Sequence, residues 1–236
     1  MNLEPAYRIY SLGDSAITID FGNVIDESIN KKVLALFQRL QKHPLPGMIE
    51  AVPAYSSLSV FYDVIKLRKN ISPNITVREW MQEMVNKFMQ QNIESELESS
   101  VVMKIPVCYD EEFGIDLRQI AEEKKLSREE IIRLHCGKQY RVFMLGFLPG
   151  FPYMGEVDEK IAMPRKSQPR PVVAGNVAIA GRQTGIYPLA SPGGWSVIGR
   201  TPLKLFDSQK EKPTLLNAGD TVEFYAISKE KFLTYQ

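Results

Sequence analysis

Apolar residues at Ile29, Val33, Leu36, Phe37 and Leu40 recur every three or four positions, the spacing that places them on one stripe of a helix. Asp26 stands where an N-cap belongs, and Pro44 and Pro46-Gly47 end the pattern. Before it, Tyr7-Arg8-Ile9-Tyr10 and Ala16–Phe21 flank Gly13-Asp14 and predict two short strands around a turn. After it, residues 48–63 read as strand with a bend at Tyr55-Ser56-Ser57. Thr76 and Glu79 form a capping-box pair. The apolar face that follows, Val77, Trp80, Met81, Met84, Val85, Phe88 and Met89, predicts a second helix. Its Met-rich stripe is read as core packing, with a partner surface as the alternative. Residues 1–95 are therefore expected to form a small α+β domain.

The polar run QQNIESELESS places a boundary near residues 90–100, and a second domain is expected over 101–236. It opens with a strand at Val101–Val107. Two short helices follow, announced by Asp116 with Gln119 and by Ser127 with Glu130, and Gly137 ends the second. From Tyr140 on, helical periodicity is lost. Short runs at Val172–Ala174, Val177–Ala180, Ser196–Ile198, Leu203–Phe206 and Thr221–Ala226 alternate with Gly and Pro, the pattern of a β-barrel or sandwich.

Composition changes this picture only locally. The 236 residues are 44% hydrophobic and 24% charged with a net charge of +1, an ordinary globular balance with no bias toward nucleic acid or membrane. No apolar run approaches the roughly 20 residues of a membrane helix. The N-terminus carries an acid and lacks a signal-peptide core, so a cytoplasmic location is expected. Two cysteines outside any CxxC pattern and two histidines argue against a zinc site, and no metal is expected. The anomaly is the stretch Lys160–Phe206, which contains no Asp or Glu but holds Lys160, Arg165, Lys166, Arg170, Arg182, Arg200 and Lys204 among many Gly and Pro. Cations without counter-charges attract anions, and Gly-rich backbone lets N–H groups approach them. A site for a small carboxylate or phosphate follows.

Neither GxxxxGK[ST] nor GxGxxG, HExxH or GxSxG occurs. Four segments could carry chemistry instead. Gly146–Gly155 displays Phe147, Phe151 and Tyr153 on a path fixed by Pro149, Gly150 and Pro152. Pro164–Pro171 holds Arg165 and Arg170 on a stiff, extended backbone. In Ala180–Tyr187, Arg182 offers a planar fork for an anion and Gln183 both a donor and an acceptor. In Ser191–Trp195, Gly193 and Gly194 can present N–H groups and Trp195 an apolar wall. Turns with packed aromatics or solvated loops are the plainer reading of the first two. His135, at a helix end, is either a cap for carbonyls or an acid/base.

In this order, His135, GFLPGFPYMG, Pro164-Arg165, AGRQTGIYP and SPGGW resemble the family of the 5-oxoprolinase small subunit, and Leu12–Ala16 agrees. That family takes in subdomains C and D of carboxyltransferase domains, allophanate hydrolase subunit 1 and the sporulation kinase inhibitor KipI. The resemblance implies an α+β fold in which a small N-terminal domain precedes a cyclophilin-like β-barrel. It implies a heteromeric complex with a homologous larger subunit and a LamB/YcsF-type subunit, which together open 5-oxoproline to glutamate with ATP. It also implies that this chain is inactive alone. Carried onto this sequence, the catalytic candidates are His135, Arg182 and Gln183. The ligand-binding candidates are Phe147, Pro149, Gly150, Phe151, Arg165, Arg170, Ser191, Gly193, Gly194 and Trp195. The alternative role is inhibition of a sensor histidine kinase through its dimerisation helices. A plain anion-binding domain is the third reading.

Overall fold

The computed structural model describes residues 7–90 and 102–235. Residues 1–6, the polar segment read as a boundary from residue 91 on, and the opening Val101 of the expected strand lie outside the described residues. The chain divides into two compact units, Met1–Ser99 and Ser100–Gln236.

In the first unit the elements run β1 (Arg8–Ser11), β2 (Ala16–Asp20), α1 (Glu27–Lys42), β3 (Met48–Pro53), β4 (Ser57–Tyr62), α2 (Val64–Arg68) and α3 (Val77–Gln90). The strands form one antiparallel sheet in the order β1-β2-β4-β3. The Asp26 carboxylate accepts the Ile29 N–H at 2.9 Å and so starts α1. Thr76 and Glu79 exchange bonds at the start of α3, with the Thr76 N–H donating to Glu79 Oε2 and the Glu79 N–H to Thr76 Oγ1. Both helices bury their apolar stripes against Ile17, Ile19, Leu58 and Val60 of the central strands. Of the Met-rich stripe, Met81 is fully buried and Met84 and Met89 pack at the margin of the same core. The short α2, capped by Asp63, was not foreseen, because five residues are too few to show a helical period.

The second unit runs β5 (Val102–Cys108), α4 (Leu117–Lys124), α5 (Arg128–Cys136), β6 (Gln139–Leu145), β7 (Pro152–Gly155), β8 (Arg170–Val172), β9 (Asn176–Ala180), β10 (Gln183–Ile186), β11 (Ser191–Gly193), β12 (Ser196–Arg200), β13 (Thr221–Ile227) and α6 (Lys229–Leu233). Seven strands close into a barrel in the order β10-β7-β6-β13-β5-β12-β9, while β8 and β11 form a separate two-stranded ribbon. Closure comes from β5 and β13, which run parallel over seven residue pairs from Thr221↔Val102 to Ile227↔Cys108. The interior is filled by Ile105, Val107, Tyr140, Val142, Met154, Val177, Ile179, Ile186, Val222 and Phe224.

The fold is thus α+β with a barrel, but three local expectations change. Pro152–Gly155, read as part of a loop, is a barrel strand hydrogen-bonded to β6 and β10. The run at 172–174 is displaced, since the strand ends at Val172. Leu203–Phe206 contributes only the isolated bridge Phe206↔Thr214.

The first unit depends on the α1 stripe. Leu40→Ala removes a fully buried side chain and is expected to cost the first unit about 2–5 kcal/mol. Urea unfolding followed by Trp80 emission in a Trp195→Phe background measures it.

Candidate functional site

Strand alternation divides the residues of β9 and β10 between two environments. Ile179 and Thr184 face the barrel interior, whereas Ala178 and Ala180 join Phe151, Val172, Tyr187, Trp195 and Val197 in a distinct cluster on the outside. Gly185 belongs to this outer face, and a β-carbon there would stand 2.7 Å from Phe151 Cζ. The absence of a side chain lets the ring lie directly on the strand. Phe151 is the hub of an edge-to-face array, with centroids 4.8 Å from Tyr153, 5.1 Å from Tyr187 and 5.4 Å from Trp195. Phe147 caps the array, 5.8 Å from Phe151 and 6.5 Å from Tyr187, yet stays 60% exposed. It does so with φ at +66°, a conformation that a bulky residue adopts only when its surroundings impose it. The tight turn imposes it: the Leu148 N–H donates to the Gly146 carbonyl at 2.8 Å and the Phe151 N–H to the Leu148 carbonyl at 3.0 Å. Pro149 and Gly150 complete that turn.

Arg165 joins this face through the 191–195 loop. The Lys166 N–H donates to the Gly194 carbonyl at 2.7 Å, and a β-carbon on Gly194 would stand 3.0 Å from Arg165 Nε. Burial raises the Tyr153 and Tyr187 phenols above their usual range, and the Arg165 guanidinium opposes the rise in both. Arg170 is exposed on β8 opposite Gly193, with Ser191 two positions along the ribbon opposite Val172. The Ser191 Oγ is buried without a hydrogen-bond partner. Among the described residues no salt bridge neutralises Arg165 or Arg170. The fold thus places Phe147, Phe151, Arg165, Gly193, Gly194 and Trp195 on one face, with Arg170 and Ser191 on the adjoining ribbon, whereas Pro149 and Gly150 serve the turn and Gly150 packs toward Leu205, Phe206 and Thr214. An exposed aromatic, an aromatic floor and two uncompensated guanidinium groups suit a small anion with an apolar body.

Arg182 and Gln183 are placed differently. Ala180 pairs with Gln183, so Gly181 and Arg182 make a two-residue hairpin, with Gly181 at φ +58° in the first position as a type II′ turn requires. Arg182 Nη2 lies 2.7 Å from Glu156 Oε2. The fork expected to await an anion is engaged by a carboxylate of the same chain, from just outside the acid-free stretch. Gln183 opposes Gly155 and shares the outer face with Gly185.

His135 lies in the last turn of α5, as expected, and is fully buried. Tyr140 donates to its carbonyl at 2.8 Å, and its ring stacks on Phe224 at 4.5 Å. The Thr184 hydroxyl donates to the Ala178 carbonyl, so it accepts from His135 Nε2 at 3.0 Å. Nδ1 then accepts from the Tyr109 hydroxyl at 2.8 Å, and the Cys136 thiol lies 3.3 Å from that hydroxyl. Burial alone lowers the pKa of His135 from 6.5 to about 3. A neutral imidazole with both nitrogens committed inside the barrel is a structural group. In this arrangement neither ring nitrogen is free for the acid/base role expected of it.

Sequence reasoning named Tyr153 among the displayed aromatics and Lys166 among the cations but left both, with Tyr187 and Asp116, out of the candidate site residues. Both tyrosines lie inside the Gly- and Pro-rich segments, and it is the outward position of Tyr153 on β7 and of Tyr187 just past β10 that sets them against this cluster. Asp116 was read as a helix cap, but its side chain makes no capping bond to α4. Its Oδ2 accepts from Lys166 Nζ at 2.5 Å and from the Val197 N–H at 2.7 Å.

The sequence matches the family described as "Carboxyltransferase domain, subdomain C and D" over residues 7–216. The chain belongs to this carboxyltransferase C/D family. Within it, the chain is 45% identical to a 5-oxoprolinase subunit of Bacillus subtilis, over 98% of this chain and 97% of that protein. It is 37% identical to the corresponding 5-oxoprolinase subunit of Escherichia coli O157:H7, over 92% of this chain and 94% of that one. Among solved structures, TTHA0988 matches with a TM-score of 0.76 at 37% identity, covering 90% of this chain. The present chain spans only 40% of that longer one. Among the described residues no group of three or more His, Cys, Asp or Glu could hold a metal, and no helix is long and apolar enough to cross a membrane.

For this carboxyltransferase-family barrel, the His135 environment sets a pH dependence. Its folded pKa lies below its unfolded one, so between pH 6.5 and about 3 only the unfolded chain takes up the proton. The contribution is complete above pH 6.5 and drains as pH falls, by up to about 1.4 kcal/mol per pH unit. His135→Gln is expected to flatten the dependence of unfolding free energy on pH between 6 and 4 by close to one proton. An unchanged slope in urea titrations contradicts the assignment.

Proposed function

We propose that this chain is the small subunit of an ATP-dependent 5-oxoprolinase. In this proposal it works in the cytoplasm with a homologous larger subunit and a LamB/YcsF-type subunit. The observation that carries this reading is the 45% identity to the Bacillus subtilis 5-oxoprolinase subunit, which runs over 98% of the chain. The longer TTHA0988 chain, of which this one spans 40%, supports a second polypeptide beside it.

The chemistry suits the outer face of the barrel. 5-Oxoproline is a small apolar ring bearing a carboxylate and a lactam. In the proposed arrangement Arg165 pairs with the carboxylate, the Phe147–Phe151–Trp195 surface packs against the ring, and Gln183 reads the amide. ATP is bound at the level of the complex. Transfer of its γ-phosphoryl group to the lactam oxygen turns a resonance-stabilised amide into an activated imidate. Water then adds to the ring carbon, the C–N bond breaks, and a second water releases phosphate to leave glutamate. Arg165 holds the anionic substrate still during these steps, a contribution of positioning. Arg182, already held by Glu156, lies outside the binding step.

The test is reconstitution. The three subunits together are expected to hydrolyse ATP in a 5-oxoproline-dependent manner, and any one alone is not. In that set Arg165→Ala is expected to lower kcat/KM roughly tenfold to hundredfold, as loss of a charged hydrogen-bonded pair does. Arg182→Ala is expected to cost far less. Absence of turnover in the full set, with inhibition of a histidine kinase by this chain alone, replaces the enzyme reading with the regulator.

A further inference from the structure

Among the described residues the acid-free stretch draws three counter-charges from outside itself, Glu156 on Arg182, Asp207 on Lys204 and Asp116 on Lys166, and the last of these pairs is the most buried. Lys166 Nζ lies 2.5 Å from Asp116 Oδ2, and the two side chains are only 18% and 6% exposed. Asp116 is bonded at three points. Its N–H donates to the Val197 carbonyl at 3.0 Å, the Val197 N–H returns to its carboxylate at 2.7 Å, and Lys166 supplies the charge. The Lys166 N–H in turn holds the Gly194 carbonyl at 2.7 Å. The loop bearing Arg165 and the loop bearing Trp195 are therefore tied to one carboxylate and to each other.

A buried ion pair is a poor source of net stability, because desolvation consumes most of the attraction. It does fix geometry, since either partner alone is an uncompensated buried charge. Here the pair turns Lys166 inward, while its neighbour Arg165 stays exposed beside Gly194 and acts on Tyr153 and Tyr187. We propose that Asp116 and Lys166 are positioning residues: their buried clasp sets where the Arg165 guanidinium stands relative to the Trp195 floor. The claim builds on the 5-oxoprolinase reading of this face, but the clasp can be tested without it.

Two measurements do this. In the assembled three-subunit set, Lys166→Met and Asp116→Asn are each expected to raise KM for 5-oxoproline about tenfold with kcat little changed, as misplaced ground-state contacts do. Lys166→Arg, which keeps the charge, is expected to stay near wild type. The double variant is expected to match the single ones, because both break one clasp. The second measurement uses this full chain alone, labelled with 5-fluorotryptophan. The Trp195 fluorine resonance is expected to move in Lys166→Met and return in Lys166→Arg, with Trp80 as the unmoved reference. If Arg165→Ala raises KM but Lys166→Met and Asp116→Asn do not, the clasp is overturned and the site stands. If Arg165→Ala is silent or the set shows no turnover, the site reading falls and the Trp195 resonance decides the clasp. A Trp195 resonance unmoved in Lys166→Met overturns it there. Should Asp116→Asn fail to fold, the two Lys166 variants carry both arms.

Discussion

The second unit depends on a chain of hydrogen bonds crossing the barrel interior. It runs from the Tyr109 hydroxyl through the two nitrogens of His135 to the Thr184 hydroxyl and the Ala178 carbonyl. Each group spends its donor on the next, so none is buried unsatisfied. Thr184 is thereby held inward, and a slip of β10 by one residue would exchange every side chain on the strand between the two faces. With Thr184 inside, Gly185 and Gln183 lie outside. The smallness of Ala178, Ala180 and Gly185 then makes an external floor on which Phe151 and its neighbours can lie. The form of the outer face is a consequence of inner polar bonding.

Electrostatics on the outer face follow from which cations find partners. Lys166 and Arg182 are satisfied by Asp116 and Glu156, both from outside the acid-free stretch. Arg165 and Arg170 are left facing solvent beside an aromatic surface. A lone guanidinium is well hydrated and inexpensive to leave exposed, but its fork is preorganised for a planar anion. The positive φ of Phe147 adds a second asymmetry. A tight turn holds an aromatic ring out in water, which folding alone does not require.

Much of this was legible in the chain. The α1 and α3 stripes were clear because Val33, Leu36 and Leu40, or Val77, Met81 and Val85, recur at a period that only a helix explains. The loops of the candidate face were legible as motifs, since Gly and Pro punctuate them. What was hidden depends on tertiary pairing. Asp116 has the sequence context of a cap, yet its carboxylate is drawn to Lys166, 50 residues away. His135 looks the same in sequence whether it caps a helix or lies in a core, and only burial beside Tyr109 and Thr184 decides. Arg182 looked free because Glu156 lies outside the acid-free stretch and meets it only through the pairing of β7 with β10.

The parallel pairing of residues 102–108 with 221–227 reaches beyond the finished molecule. The strand that opens the barrel waits for its neighbour while more than a hundred intervening residues are translated. Until Ile227 emerges from the ribosome, the edge of β5 that β13 will cover is open, a row of unpaired amides and carbonyls on a nascent chain. Barrel closure is therefore a late event in synthesis, whereas the first unit, complete by residue 99, is free to fold while the remainder is still being made.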